Sequence, residues 1–571
     1  VRAARQVFKE CRADSHESAV VRSSWSSRIS RDAVNFEPLQ DVRPCKEAAQ
    51  AAADSRRMRL QSMRSGIAMA SSGKDYIGIA NLADPSLFVQ QALVGGRWIG
   101  PDVLDVIEVL NPANGDVIGA VPNCGAAETR SAIAAADAAF AAWKRKTAGA
   151  RAEILEAWWR AVLDNAEDLG RIMTAEQGKP LPEAIGEIRY AATFIKWFAE
   201  EGRRVSGHDI PAPTPDRRIL VLKQPVGVSA AITPWNFPAA MITRKAAAAL
   251  AAGCPMVIKP SELTPFTALA LAKLAERAGL PAGVLSVVTG RPEAIGAELT
   301  SNPIVRKLSF TGSTKIGALL MRQCADEIKK LSLELGGNAP FIVFDDADIA
   351  LAVEGVMASK FRNAGQTCVC ANRVLVQSGI HDRFVAALVS AVEQLKVGDG
   401  LQPNVTIGPL INAAAVTKVN EHVADALAKG AQVAGAATGD VDAARYAKPV
   451  VVVGATADMR LAREETFGPL APVFKFETEA QAVALANATP FGLASYFYTR
   501  DMDRAWRVAE QLEFGMVGLN TGSIAMEMAP FGGVKQSGLG REGGREGIEE
   551  YLETKAFHWG GLRFETEEKQ A

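Results

Sequence analysis

The stretch Val226-Gly-Val-Ser-Ala-Ala-Ile-Thr-Pro-Trp-Asn-Phe-Pro238 runs an apolar segment of strand length into a turn of polar and aromatic residues. Downstream the same unit recurs. Met256-Val-Ile258 reads as a short buried strand that closes on Lys259-Pro260. Thr264-Pro265 has the form of an N-cap followed by proline at the first helical position, opening a helix to about Ala278. Val284–Val288 and Lys307–Phe310 read as the next strands. Strands separated by helical stretches of roughly 10 to 15 residues indicate βαβ units and a parallel sheet, hence an α/β protein. Ligands of such sheets sit at the carboxyl ends of the strands. That places Lys259, Glu262 and Gly312 along one edge.

The last strand leads into Phe310-Thr-Gly-Ser-Thr-Lys-Ile-Gly317, with a helix expected over Ser313–Cys324. Backbone amides at such a turn can receive a pyrophosphate. The spacing of Gly312 and Gly317 does not match G-x-G-x-x-G, however, so glycines serving only a tight turn remain an equal reading. On the amino-terminal side, Ala126–Trp143 and Glu153–Leu169 carry apolar residues at helical spacing. A Pro-rich linker over 211–218 precedes a strand at Ile219–Leu222, which could leave the core and support subunit contacts.

A chain of 571 residues exceeds one hydrophobic core and implies two or three domains. With 48% hydrophobic and 22% charged residues and a net charge of −1, it has the composition of a soluble globular enzyme. Nothing in it suits nucleic acid or an anionic membrane. Seven cysteines are too few for a disulfide scaffold, which suggests a reducing, cytoplasmic setting. Five scattered histidines lack metal-ligand spacing, so no metal is expected. Residues 1–80 are rich in Arg, Ser and Ala without periodicity. We expect a disordered extension, or a start misplaced upstream of Met58, Met63 or Met69. A mitochondrial transit peptide is the alternative, although Glu10, Asp14, Glu17, Asp32 and Glu37 are many acids for that class.

Three segments carry candidate chemistry. Cys368, in Phe361-Arg-Asn-Ala-Gly-Gln-Thr-Cys-Val-Cys370, follows a Gly-Gln-Thr turn and precedes the strand-like Val374–Val376, as a nucleophile would. Glu334, in Leu333-Glu-Leu-Gly-Gly-Asn338, could act as general base, the glycines leaving room for water and substrate. Asn236 could donate to an oxyanion. Taken singly, each has a plain alternative: a buried cysteine, a surface glutamate, a capping asparagine.

Together with Glu465-Thr-Phe-Gly-Pro469 and Pro530-Phe-Gly-Gly-Val-Lys-Gln-Ser-Gly538, these motifs strongly resemble the aldehyde dehydrogenase superfamily from about Leu87 to Leu562. The resemblance implies an aldehyde dehydrogenase-like α/β fold. Residues 87–205 and 225–335 would form a Rossmann-type NAD(P)-binding domain, 336–535 an α/β catalytic domain, and 206–224 with 536–562 a small β oligomerisation element of a homodimer or homotetramer. It implies that Cys368 attacks the aldehyde, Asn236 and the Cys368 amide hold the oxyanion, and Glu334 promotes thioester hydrolysis. Cofactor residues would be Trp235, Gly312, Gly317, Lys259 and Glu262 (adenosine ribose), Ser313 (pyrophosphate), and Glu465 with Phe467 (nicotinamide ribose). A carboxylate at Glu262 suits a ribose 2′-OH and repels a 2′-phosphate, so NAD is expected over NADP. A non-catalytic descendant would show damage at Cys368, Glu334 or Asn236, and a CoA-acylating relative would lack the base; neither is seen.

Within the superfamily, Met241-Ile-Thr-Arg-Lys245, the Cys368 segment and Gly533–Gly543 resemble succinate-semialdehyde dehydrogenases. That subgroup clamps the distal carboxylate of its aldehyde substrate with two arginines, matched here by Arg244 and Arg362, and guanidinium suits the task. A plain ion pair is the alternative for each. The subgroup's serine in the loop before Pro530 is matched by Ala525, with Ser523 nearby, which leaves glutarate semialdehyde or a longer ω-oxo acid as the alternative substrate. Some relatives pair the two thiols matching Cys368 and Cys370 reversibly; an i,i+2 disulfide is strained and would be labile. A small buried residue is the other reading of Cys370.

Overall fold

The structure, a computed structural model, describes residues 78–100 and 102–563. The expected amino-terminal extension therefore lies, but for its last three residues, outside the described residues. The stretch that opens the sequence argument forms Val228–Ile232, a central strand of an eight-stranded sheet. Its order is Gly538–Leu539, Lys330–Glu334, Val305–Thr311, Val228–Ile232, Met256–Lys259, Leu285–Val287, Ala92–Val94, Arg97–Ile99. The five strands from Lys330–Glu334 to Leu285–Val287 are parallel. Alternation along them divides two cores: Ala231 and Ile258 face one helical layer, Ala230 and Val257 the other.

From Val228–Ile232 the chain passes through the fully buried helix Ala240–Ala252 to Met256–Lys259, then to Leu285–Val287. It next crosses back to place Val305–Thr311 on the opposite flank of Val228–Ile232. That reversal is a topological switch point, where the carboxyl ends of two strands splay and leave a crevice.

A second, seven-stranded sheet runs Gln432–Ala436, Val450–Val453, Leu470–Phe476, Ala371–Gln377, Ala339–Val343, Ala494–Tyr498, Met516–Leu519, parallel except for its first pair. It has its own core, with Phe341, Val374 and Phe497 fully buried. Away from both, Leu552–Trp559, Arg218–Pro225 and His208–Ile210 pair antiparallel, the Pro-rich linker joining the last two. No described helix is long and apolar enough to cross a membrane.

Sequence reading and structure differ at two instructive places. The expected helix Glu153–Leu169 is two, Ala148–Asp164 and Ala166–Gln177, broken at Asn165. Asn165 turns its amide back onto the Ala161 carbonyl (2.8 Å), a local hydrogen bond that competes with helix continuation. Pro265 does start the helix Pro265–Arg277, but Thr264 makes no capping bond. The cap comes from the buried Glu176, which accepts from Phe266 N (2.7 Å) and Thr267 N (2.8 Å).

Between Ala166–Gln177 and Leu181–Glu201 the turn at Gly178 adopts φ +95°, and a β-carbon there would sit 2.6 Å from Pro409 Cγ and 2.9 Å from Pro112 Cγ. Gly178→Ala should therefore lose about 2 kcal/mol of stability from strain and overpacking, read as a lowered urea midpoint.

Candidate active site

Asn236 lies in the loop that leaves Val228–Ile232 and is buried at 6% exposure. Its carbonyl accepts from Lys179 Nζ (2.8 Å) and Asn363 Nδ2 (3.0 Å). Its own Nδ2 donates to the Gln366 carbonyl (2.9 Å), leaving a second amide hydrogen free to point elsewhere. Glu334 is the last residue of its strand, and neither carboxylate oxygen has a hydrogen-bond partner among the described residues.

The approach to Cys368 is unusual backbone. Helix Ile349–Val356, capped by Asp348, widens into a π turn over Met357–Phe361 and then a tight turn over Arg362–Gly365. Asn363 (φ 52°), Ala364 (φ 53°) and Gly365 (φ 75°) are consecutive left-handed residues. Such a conformation is cheap for glycine, tolerable for asparagine and costs about 1 kcal/mol or more for alanine, so the surroundings must impose it. They do: Asn363 N donates to Glu183 (2.8 Å), Gln177 Nε2 donates to Asn363 Oδ1 (3.0 Å), and Ile411 N donates to Gln366 Oε1 (2.9 Å). Cys368 then sits in a turn ahead of Ala371–Gln377, at the amino end of the second sheet.

A cavity of about 320 Å³ opens where this turn meets the carboxyl ends of the first sheet. It brings together Cys368, Glu334, Asn236, Trp235, Gly312, Ser313, Glu465 and Phe467. Trp235 and Phe467 meet edge to face (5.6 Å between ring centres), Phe467 in a left-handed conformation at φ 58°. Glu465 accepts from Gly337 N (3.0 Å). Ser313 caps the helix Thr314–Gln323, whose amino end faces the cavity.

Other sequence-predicted residues lie outside its wall. Lys259 and Glu262 bind each other (2.6 Å). Gly317 faces Leu335, whose Cδ1 a β-carbon would approach to 2.9 Å, so packing accounts for that glycine. Arg244 is buried between the rings of Phe194 and Phe531 and donates to Tyr190 Oη (2.8 Å). Its Nε and Nη1 have no hydrogen-bond partner among the described residues, Glu542 standing 3.7 Å away. Arg362, over the Phe237 ring, likewise has an unpaired buried Nε. Cys370 is a free thiol against the buried Lys360 Nζ (3.4 Å). Ser523 is exposed and Ala525 half-buried.

Burial sets the electrostatics. It pushes the Cys368 thiol up to about 12, with Glu465 and Glu334 adding to the rise and Arg244 opposing it. It also lifts the Glu334 carboxyl well above the usual range, reinforced by Glu542 and opposed by Lys245 and Arg244. Glu465 is raised by burial to about 7. For Glu542 burial acts in the same sense, but Lys245 and Arg244 overcome it and hold the carboxyl down. A buried, basic glutamate can take a proton at neutral pH and pass it on. Lys245, whose charge opposes the rise at Glu334, donates to Thr311 Oγ1 (2.6 Å) and Glu542 Oε1 (2.5 Å).

Sequence reasoning missed Lys245, Glu542, Lys179, Glu187 and Asn363. Lys245, Glu542 and Asn363 lie inside quoted motifs and Lys179 and Glu187 outside them, and no periodicity or spacing marks a residue whose partner is remote in the chain.

The sequence pattern of the Aldehyde dehydrogenase family matches residues 98–557. The chain belongs to the aldehyde dehydrogenase family. It is 61% identical over 474 residues to the succinate-semialdehyde dehydrogenase [NADP(+)] GabD of Escherichia coli, covering 83% of this chain and 98% of that one. It is 60% identical over 481 residues to a glutarate-semialdehyde dehydrogenase of Pseudomonas aeruginosa, covering 84% and 100%. The crystal structure of an Escherichia coli NADP dependent enzyme superposes with a TM-score of 0.83 at 60% identity, covering 84% of this chain and 100% of that one.

With the thiol raised to about 12 in the ligand-free enzyme, the thiolate fraction should rise about tenfold per pH unit throughout the neutral range. Iodoacetamide alkylation of Cys368 should accordingly keep accelerating to pH 10 without levelling near 8.5, the value of an ordinary cysteine.

Proposed function

We propose that this aldehyde dehydrogenase oxidises succinate semialdehyde to succinate with a nicotinamide cofactor. The observation that carries the substrate class is the buried Arg244 guanidinium with Nε and Nη1 unpaired, together with the half-buried Arg362, whose Nε is also buried and unpaired. A buried donor without an acceptor costs about 1–3 kcal/mol, and more when charged. A substrate carboxylate would supply the missing acceptor. Each arginine acts electrostatically on the thiols of the Cys368 segment, Arg244 on Cys368 and Arg362 on Cys370.

In the proposed reaction Glu334 draws the proton from Cys368, and the thiolate adds to the aldehyde carbon to give a thiohemiacetal. Asn236 Nδ2 and the Cys368 backbone N–H hold the oxyanion. A nicotinamide cofactor held by Trp235, Ser313, Glu465 and Phe467 would supply the hydride acceptor, and Cys368 would then carry the acyl group as a thioester. Glu334, having released the thiol proton to solvent, then takes a proton from the attacking water and returns it to the departing Cys368 thiolate as the acid leaves. The Trp235–Phe467 wall, Glu465 and the amino end of Thr314–Gln323 at Ser313 fit the cofactor. We assign the eight-stranded sheet to cofactor binding, the seven-stranded sheet to catalysis and the three-stranded sheet to subunit contacts.

Our reading favours NAD+ over NADP+. Burial pushes the Glu262 carboxyl up, but the charge and hydrogen bond of Lys259 outweigh it and keep the group ionised. A carboxylate there repels a 2′-phosphate. The kcat/KM for NAD+ should exceed that for NADP+, and Glu262→Gln should narrow the ratio; an NADP+ preference in the parent would overturn this assignment. The half-buried Ala525 leaves glutarate semialdehyde as the second substrate reading.

The substrate assignment is tested by following NAD(P)H formation with succinate semialdehyde, glutarate semialdehyde and a neutral aldehyde, with Cys368→Ala as control. Arg244→Ala and Arg362→Ala should each raise KM for succinate semialdehyde by about tenfold or more, from the loss of a charge-assisted bond worth roughly 1.5–3 kcal/mol. Equal effects on the neutral aldehyde would sink the clamp.

A further inference from the structure

One buried charge pair among the described residues, Lys179 with Glu187, takes no part in the proposed reaction. Lys179 and Glu187 are ion-paired at 2% and 5% exposure, beneath the loop that carries Asn236. Burial works against the Lys179 charge, with Glu187 opposing that shift. Replacing such a pair with apolar side chains is often neutral or stabilising, so stability alone does not explain its presence. Its contacts do. The three ammonium protons of Lys179 meet three groups: the Glu187 carboxylate, the Asn236 carbonyl (2.8 Å) and the face of the Phe237 ring (4.1 Å). The other Glu187 oxygen accepts from Ala239 N (3.0 Å) and Ala240 N (3.2 Å), where the helix Ala240–Ala252 begins without a side-chain cap of its own. That helix carries Arg244 and Lys245.

We propose that Lys179 and Glu187 are positioning residues for the oxyanion donor: the ammonium pins the Asn236 main chain while the carboxylate fixes the start of the adjoining helix. The inference rests on the reading of Asn236 as oxyanion donor. Asn363 Nδ2 donates to the same Asn236 carbonyl (3.0 Å) and to Gln366 O (3.3 Å), so the carbonyl that Lys179 holds is also tied to the Cys368 turn. Oxyanion stabilisation depends on the donor standing at the place the charge will occupy, and a shift of about 1 Å can cost on the order of a hundredfold.

Lys179→Met alone would strand a buried carboxylate, so the primary test is the double variant Lys179→Met/Glu187→Leu, which removes both charges and keeps the volume. Glu187→Gln, which retains an acceptor for the two helix amides, is the milder probe. Circular dichroism and thermal melting report folding, and steady-state kinetics separate kcat from KM. Iodoacetamide alkylation of Cys368, which forms no oxyanion, reports the thiol itself. The folded double variant should lose kcat by on the order of 30- to 300-fold, Glu187→Gln by less, with KM and alkylation changed by less than about threefold. A folded double variant with kcat within about threefold of the parent overturns the proposal, as does an equal fall in kcat and alkylation. Asn236→Ala is run alongside. If it is crippled while the double variant is normal, positioning fails and the oxyanion reading stands; if it retains the parent kcat, the oxyanion reading itself has failed.

Discussion

Irregular backbone buried at the centre of a protein must find a partner for every polar group, and this constraint shapes the site. The loop from Thr233 to Ala239 and the turn from Arg362 to Thr367 are not strands or helices, yet most of their residues are inaccessible to solvent. Each completes the other's hydrogen bonding. Asn236 Nδ2 donates to the Gln366 carbonyl, and Asn363 Nδ2 donates back to the Asn236 carbonyl. The two sheets are thereby joined at the place where a thiol, an amide and a carboxylate converge. The three left-handed residues before Cys368 persist because Glu183, Gln177 and Ile411 hold the groups on either side of them.

The same burial that demands partners also quiets the chemistry. A thiol pushed up to about 12 holds little thiolate at neutral pH. Glu334, raised well above an ordinary carboxyl, is in turn a stronger base than usual. The two shifts have one cause and complementary effects: burial favours the protonated thiol, and the group able to deprotonate it has a raised proton affinity. Lys245 and Arg244 oppose the rise at Glu334, and Lys245 also donates to Glu542 Oε1 (2.5 Å).

Much of the architecture was legible because it follows from periodicity. Ala126–Trp143 is the helix its apolar spacing predicts, and the strands around Val228–Ile232 fall within two residues of their expected bounds. Where the reading failed, a side chain competed with or replaced a backbone signal. Asn165 broke a helix by bonding backwards, and Glu176, remote in sequence, took the capping work expected of Thr264. The motifs pointed to Cys368, Glu334 and Asn236, and the fold brings all three to one cavity. The groups that surround them were not legible for a physical reason. Lys245 and Glu542 are 297 positions apart, Asn236 and Asn363 are 127 apart, and only tertiary structure brings such pairs together.

That long-range pairing also bears on selectivity. An arginine buried between two aromatic rings, with Nε and Nη1 unpaired, is an expensive arrangement. Glu542 relieves it only through its charge: its Oε2, at 3.7 Å from Nη1, lies beyond hydrogen-bond range, and its Oε1 is engaged by Lys245. On the proposed reading the missing acceptor is the far carboxylate of the substrate. A neutral aldehyde then gains the same covalent chemistry but leaves the guanidinium unpaired. Sites built around such a donor discriminate more strongly against an analogue lacking the acceptor than an apolar pocket does against an extra methylene. The presence of a charge on the substrate is thus recognised more sharply than the length of chain that carries it, as expected where succinate and glutarate semialdehyde compete for one pocket.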